Sequence, residues 1–404
     1  MLARRAISNR FPPAAWTRAV VLQAQGLHHR ISSLPFLHKR TSPRRPDIPR
    51  PFSVTAARGV MIPNVFVPPL VFVGLLIALW TWKCTMIILF QDRLLYMSYM
   101  PPFARSEKIA DYQAECRPVQ WKETHMRSLD GTKLAVCVGS MPVTVTGDST
   151  KQQKRSVVIC YFQGNGGSTP PRLPLLSSVL RELATSSSSS PSSFVDYTLV
   201  ALSYRGYWKS SGRASQTGIE RDAQALLDWV MDTFGAPGTD LQVILWGHSL
   251  GSAVASTATA TYLARLPSSS SSSSSSVAGV VLETPSTSTK DVLKNLYPQR
   301  WLPYRYLWPF LWNRWSSAAA LERIARWRDN DPQRQRGTPP ILLLVADEDE
   351  MIPSQAADEL ERLCQRLGLN AERKSVAGAL HTEAVLKREG KEALIKFIRK
   401  ATDS

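Results

Sequence analysis

Cysteine is scarce in this chain and arranged for no shared task. Its five cysteines, Cys84, Cys116, Cys137, Cys160 and Cys364, are odd in number and widely spaced, with no Cys-x-x-Cys. That excludes a disulfide framework and a zinc site of the usual spacing, and leaves the thiols as small apolar filler. None of the seven asparagines begins an Asn-x-Ser/Thr sequon, which weighs mildly against a lumenal domain. The one Gly-rich loop, Phe162 to Gly167, lacks the Gly-Lys-Ser/Thr that would cradle a nucleotide phosphate. No cofactor and no metal are therefore expected. Acidic residues are nearly missing from the first 58 positions, where ten Arg and one Lys face only Asp47, so this tail carries +10 of the formal net charge of +17. The rest is dispersed, without the basic stripe that tracking a phosphate backbone requires, and nucleic acid is not an expected partner.

What is present begins with that tail. Residues 1–60 have the Arg-, Ser- and Pro-rich composition of a targeting segment or of a basic disordered extension. Residues 61–90 follow as a candidate transmembrane anchor. Val65 to Trp82 is uncharged throughout, a second apolar patch runs from Met86 to Phe90, and Trp80 and Trp82 sit where an interfacial belt would lie. The bilayer is thus an expected partner and a single-pass membrane location is expected. The charges flanking the span do not orient it, and the endoplasmic reticulum and a mitochondrial membrane both stay open. Residues 91–115 read as a Pro-containing connector.

From residue 116 to 404 the pattern is that of one α/β domain. An antiparallel pair, Val119 to Met126 and Lys133 to Met141, is joined at Asp130-Gly131. Buried-strand runs then alternate with helical periods: Ser156 to Phe162, Phe194 to Leu202, Val243 to Trp246, Val277 to Glu283, Ile341 to Val345 and Ala371 to Val376. Such alternation predicts a mostly parallel central sheet with helices on both faces. The polyserine tracts Ser186–Ser190 and Ser268–Ser276 fall between helix and strand and suit exposed loops.

The run Val243 to Trp246 ends in Gly247-His248-Ser249-Leu250-Gly251 and passes into a small-residue helix, the layout of a nucleophile elbow. A serine hydroxyl needs a base, and the base needs a carboxylate to hold its tautomer. His248 adjoins the serine and is expected to point away from it. Of the six histidines only His381 follows the elbow, in a loop after the last strand. The acid is expected in the carboxylate-rich turn after Ile341 to Val345, with Asp349 favoured over Asp347. For the oxyanion, one donor is the Leu250 amide and the other belongs to the loop Phe162 to Gly167. Eight aromatics crowd positions 297 to 315, and an aromatic-rich cap is expected at about 285–320.

Together these motifs resemble a family. Tyr161-Phe162-Gln163-Gly164-Asn165-Gly166-Gly167, Leu202-Ser203-Tyr204-Arg205-Gly206-Tyr207, Gly247 to Gly251, Asp349-Glu350-Met351-Ile352-Pro353 and His381 are similar, in order, to the membrane-anchored α/β-hydrolases of the fungal bud-emergence type. Animal relatives of that family have lysophospholipase or monoacylglycerol lipase activity. The resemblance implies the α/β-hydrolase fold, a catalytic Ser249, Asp349 and His381, and oxyanion amides from Leu250 and Asn165. It also implies hydrolysis of a lipid-type carboxylic ester through an acyl-enzyme. A protein depalmitoylating thioesterase acting on an acylated protein, or a catalytically silent membrane scaffold, are the alternatives. Two departures stand out: Gln163 replaces a usual His, and Ala346 a usual Gly.

Overall fold

In the computed structural model, which describes residues 63–142, 155–187, 195–266, 276–330 and 337–403, the aliphatic runs named above become the middle of one sheet. Its strands are β1 (Gln120–Arg127), β2 (Lys133–Ser140), β3 (Arg155–Phe162), β4 (Val195–Leu202), β5 (Asp240–His248), β6 (Ser276–Glu283), β7 (Ile341–Ala346) and β8 (Ala371–Val376). They lie in the order β1-β2-β4-β3-β5-β6-β7-β8. The first two pairings, β1 with β2 and β2 with β4, are antiparallel, and all others are parallel. The whole of the basic tail, and both polyserine tracts apart from Ser186, Ser187 and Ser276, lie outside the described residues.

Helices cover both faces because the central strands are apolar on both. Along β3, Val157, Ile159 and Tyr161 face one core while Val158, Cys160 and Phe162 face the other, and every one of them is buried. The helices longer than one turn among the described residues are α1 (Val67–Leu89), α2 (Gln91–Tyr96), α3 (Leu173–Ser187), α4 (Gln216–Phe234), α5 (Leu250–Arg265), α6 (Thr289–Leu296), α7 (Ser317–Asp329), α8 (Ser354–Arg366) and α9 (Arg388–Thr402). Ser215, Ser288 and Ser316 cap α4, α6 and α7 by accepting from backbone amides of the first turn. In α4 the buried Ile219, Ala223, Leu226, Leu227 and Val230 follow the helical period. Residues Ala253, Ala255, Ala258 and Ala260 of α5 are small and buried, which lets the helix lie close on the sheet. The four thiols of Cys116, Cys137, Cys160 and Cys364 are buried filler, and burial pushes the Cys160 thiol up to about 12, where it stays protonated.

Two regions hold more structure than the sequence suggested. Residues 91–115, read as a connector, open with α2, and both Gln91 and Tyr96 are buried. The interlude read as a cap contains α6, two short 3-10 turns (Pro303–Tyr306 and Trp308–Phe310) and the start of α7. Preceding all of this, the helical stretch Asn64–Leu89 is long and apolar enough to cross a membrane, and its first half is exposed along its whole circumference.

Candidate active site

The sharp end of β5 is where the site begins. Ser249 stands between β5 and α5 with φ 53° and ψ −117°, a backbone conformation that side-chain-bearing residues rarely hold. The bend brings neighbouring backbones together. A Cβ on Gly251 would lie 1.9 Å from the Phe162 carbonyl oxygen, and one on Gly247 would lie 2.0 Å from that of Gly251. Both positions therefore require glycine. The turn is pinned from beside it, since the Ser249 amide donates to the Glu283 carbonyl at 2.8 Å, and the Ser252 hydroxyl donates to the Gly247 and Glu283 carbonyls at 2.8 and 2.9 Å.

Loops at the carboxyl ends of β7 and β8 bring the other two side chains to this serine. His381 Nε2 lies 2.8 Å from Ser249 Oγ, and its Nδ1 lies 2.8 and 3.0 Å from the two carboxylate oxygens of Asp349. Asp349 is held in turn, because its Oδ1 accepts from the amides of Met351 and Ile352 at 2.8 and 2.7 Å. Its side chain is 4% exposed and that of His381 is 9% exposed, so water hardly competes for these bonds. Asp347, the other carboxylate considered, is exposed, and its backbone instead bonds to Val376. Glu350 accepts from the His381 amide at 3.0 Å and ties the two loops together.

Above the serine lies the loop Gln163 to Gly167. A Cβ on Gly164 would come within 3.3 Å of the Ser249 side chain, so this glycine lets the loop close over the nucleophile. The amides of Gly166 and Gly167 are engaged by the carbonyls of Tyr96 and Met100, at 3.0 and 2.6 Å. Among the described residues no acceptor takes the Asn165 amide, and the Leu250 amide, first in α5, has no acceptor within its helix. Gln163, the departure noted above, is buried and braces the loop. Its Nε2 donates to the Gly166 carbonyl at 3.3 Å, its Oε1 accepts from Thr169 at 3.0 Å, and its carbonyl accepts from the Tyr204 hydroxyl at 2.9 Å.

The partners of two residues escaped sequence reasoning. His248 does not simply turn away into the body, since its ring centroid lies 5.3 Å from that of His381. Its Nδ1 lies 3.5 Å from Oε1 of the buried Glu283, whose other oxygen accepts from Trp246 Nε1 at 2.9 Å. Burial holds the His248 imidazole below its ordinary value against the opposing pull of Glu283, which favours its neutral form. Arg205 is the second. It makes charge-assisted bonds to Asp222 at 2.7 Å and to Asp130 at 2.8 Å, fastening the turn after β4 to α4 and to the β1–β2 hairpin. Only the matching register of β5 and β6, which sets His248 opposite Glu283, could have hinted at the first.

A mostly parallel sheet flanked by helices, with serine, acid and histidine in that order at its carboxyl edge, defines an α/β-hydrolase. The family model described as alpha/beta hydrolase fold matches residues 157–320. A solved alpha-beta hydrolase from Vibrio vulnificus superposes with a TM-score of 0.53 at 16% identity, over 76% of this chain and 92% of that one, a likeness of fold. Protein bem46 of Schizosaccharomyces pombe is 25% identical over 208 residues, 51% of this chain and 56% of that protein. The alpha/beta hydrolase domain-containing protein WAV2 of Arabidopsis thaliana is 26% identical over 66% of this chain and 73% of its own length. Lysophosphatidylserine lipase ABHD12 of Danio rerio is 28% identical over 52% and 47% respectively. The chain is similar to these, and the matches support an α/β-hydrolase of the bud-emergence type related to lipases. It spans about half the length of the fission-yeast and zebrafish relatives. The expectation of a carboxylic ester hydrolase agrees with that kinship.

Proposed function

We propose that the chain is a membrane-anchored serine hydrolase that cleaves a lipid-type carboxylic ester, a lysophospholipid or a monoacylglycerol, through an acyl-enzyme. The observation that carries it is the unbroken relay from Asp349 through His381 to Ser249, with contacts of 2.8 Å at both ends of the imidazole. In that relay Asp349 keeps the proton on Nδ1, which leaves Nε2 free to accept the serine proton as Oγ attacks the ester carbonyl carbon. The oxyanion forms against the amides of Leu250 and Asn165. Collapse breaks the C–O bond, His381 passes its proton to the departing alcohol, and a water activated by the same imidazole then frees the fatty acid and restores Ser249.

The lipid character of the substrate is supported by the apolar helix Asn64–Leu89, which would hold the site at a membrane, and by the zebrafish relative's name. The test is fluorophosphonate labelling of the full chain. Wild type is expected to be modified and Ser249→Ala to be inert; an unlabelled wild type would mean the fold is kept for binding, as a scaffold. Lipidomics then separates substrates, because lysolipids or monoacylglycerols accumulate in cells carrying Ser249→Ala. Accumulation of palmitoylated protein alone would reject the lipase reading in favour of a depalmitoylating thioesterase. A fluorescent fusion with and without residues 1–58 assigns the endoplasmic reticulum or a mitochondrial membrane.

A further inference from the structure

The second half of α1 leaves the lipid-facing pattern. Leu76, Trp80, Cys84, Ile87 and Ile88, continued by Gln91 at the start of α2, recur at three- and four-residue steps and are partly or fully covered, while the positions between them are mostly exposed. What covers this stripe is the aromatic interlude. Trp80, Cys84, Ile87 and Ile88 lie against Leu293, Tyr304, Leu307 and Leu311, and the Trp80 and Trp301 ring centroids are 6.0 Å apart. Lys83, the first charge after the apolar run, has its Nζ 4.4 Å from the centre of the Tyr304 ring. At the base of the helix Gln91 and Asp92 bond to Phe310, Trp312 and Asn313. The cap and the helix are thus one body from Trp80 onward.

That union sets a depth. A hydrocarbon core of about 30 Å takes about 20 helical residues, so a span that begins at Asn64 reaches its far boundary near Lys83. Trp80 lies about 4.5 Å back from Lys83 along the axis, and the Trp301 ring centroid stands 6.0 Å from that of Trp80. Yet Trp301 is 67% exposed and Phe310 60%, with Trp308 exposed as well. Between residues 290 and 315 there are five cationic side chains, Lys290, Lys294, Arg300, Arg305 and Arg314, and one acid, Asp291. Exposed indole rings at the boundary with cations around them suit the headgroup layer.

We infer that the aromatic cap is itself a membrane-binding surface, seated in the anionic headgroup layer where α1 ends, so that the lipid bilayer covers Trp301, Trp308 and Phe310. This rests on reading α1 as the anchor, and it deepens the proposed function, because an ester drawn from that layer need not cross water. The probe is a nitrobenzoxadiazole dye on Trp301→Cys in the full chain, with Cys84→Ser removing the one cysteine that is not buried. In phosphatidylcholine bilayers containing phosphatidylserine, the dye is expected to be shielded from iodide and quenched by shallow brominated lipids, whereas the same dye on Lys122→Cys is open to iodide. Equal iodide access at the two positions overturns the inference. In a second arm, Trp301→Ser/Trp308→Ser/Phe310→Ser is expected to keep fluorophosphonate labelling and hydrolysis of a soluble short-chain ester, and to lose roughly tenfold on a vesicle-embedded ester. An equal loss on both substrates, or none on vesicles, also overturns it. The dye experiment involves no chemistry at Ser249, so an inert enzyme with a shielded Trp301 dye would reject the hydrolase reading and leave the membrane surface standing.

Discussion

Replacing Asp349 by asparagine exchanges one oxygen for an amide nitrogen and tests the relay without changing its shape. The surroundings decide how the new side chain sits. Two amides, Met351 and Ile352, both donate to Oδ1, so this position must remain an acceptor, and the asparagine oxygen will take it. Its NH2 group is then forced into the place of Oδ2, 2.8 Å from His381 Nδ1. A donor there turns Nδ1 into the acceptor and moves the imidazole proton to Nε2, the atom facing Ser249 Oγ. The base is thereby lost while every distance is kept. A wrong-tautomer lesion of this kind lowers kcat by about 10⁴, or about 5 kcal/mol of transition-state stabilisation. Because the fold's hydrogen bonds survive, Tm is expected to move by no more than about 4 °C. The assay is hydrolysis of a medium-chain nitrophenyl ester by the detergent-solubilised full chain, with Asp347→Asn as the control that leaves the rate unchanged. An Asp349→Asn enzyme within tenfold of wild type would refute the reasoning.

Gly251→Ala places a methyl 1.9 Å from the Phe162 carbonyl, a backbone atom with little room to yield, so the elbow opens; labelling by fluorophosphonate is expected to vanish, and normal labelling would count against the close approach. Arg205→Ala strands the Asp222 carboxylate, whose side chain is wholly buried, and is expected to cost about 3–5 kcal/mol in urea unfolding; a midpoint unchanged from wild type would show the pair to be dispensable. The buried His248 gives a pH dependence. Its folded value lies below the ordinary 6.5, so below that pH the unfolded chain takes a proton that the folded one refuses, and stability falls. Tm is therefore expected to drop between pH 7 and pH 5.5, and less steeply in His248→Gln; parallel curves for the two proteins would remove His248 as the cause.

Much of the fold was open to reading because its signals are local. A short apolar run between turn signals can be recognised wherever it occurs, and so the turn at Ser249 and most strands were anticipated to within about a residue, whereas β5, read as Val243 to Trp246, extends over Asp240–His248. His381 was found by its being the sole histidine after the elbow. Asp349 and Asp347 were not separable by composition, since two carboxylates two positions apart differ only in which way the loop turns them. The structure exposes one and sets the other 2.8 Å from an imidazole. Gln163 looked like a defect in a motif, yet it braces the loop through Thr169 and the Gly166 carbonyl.

What the residues alone determined was the order of the elements, the two-sided burial of the sheet and the chemistry present at each loop, because these depend on near neighbours in the chain. Tertiary structure alone decided which distant groups meet: Glu283 beneath His248, Arg205 on Asp222, and most of the aromatic interlude on Trp80 and Gln91, while Trp315 joins the main core. Such contacts join segments up to some two hundred positions apart, and periodicity carries no information over that separation. They are selected by how two apolar surfaces and a few unpaired polar atoms fit in space, a condition that exists only once the sheet has closed.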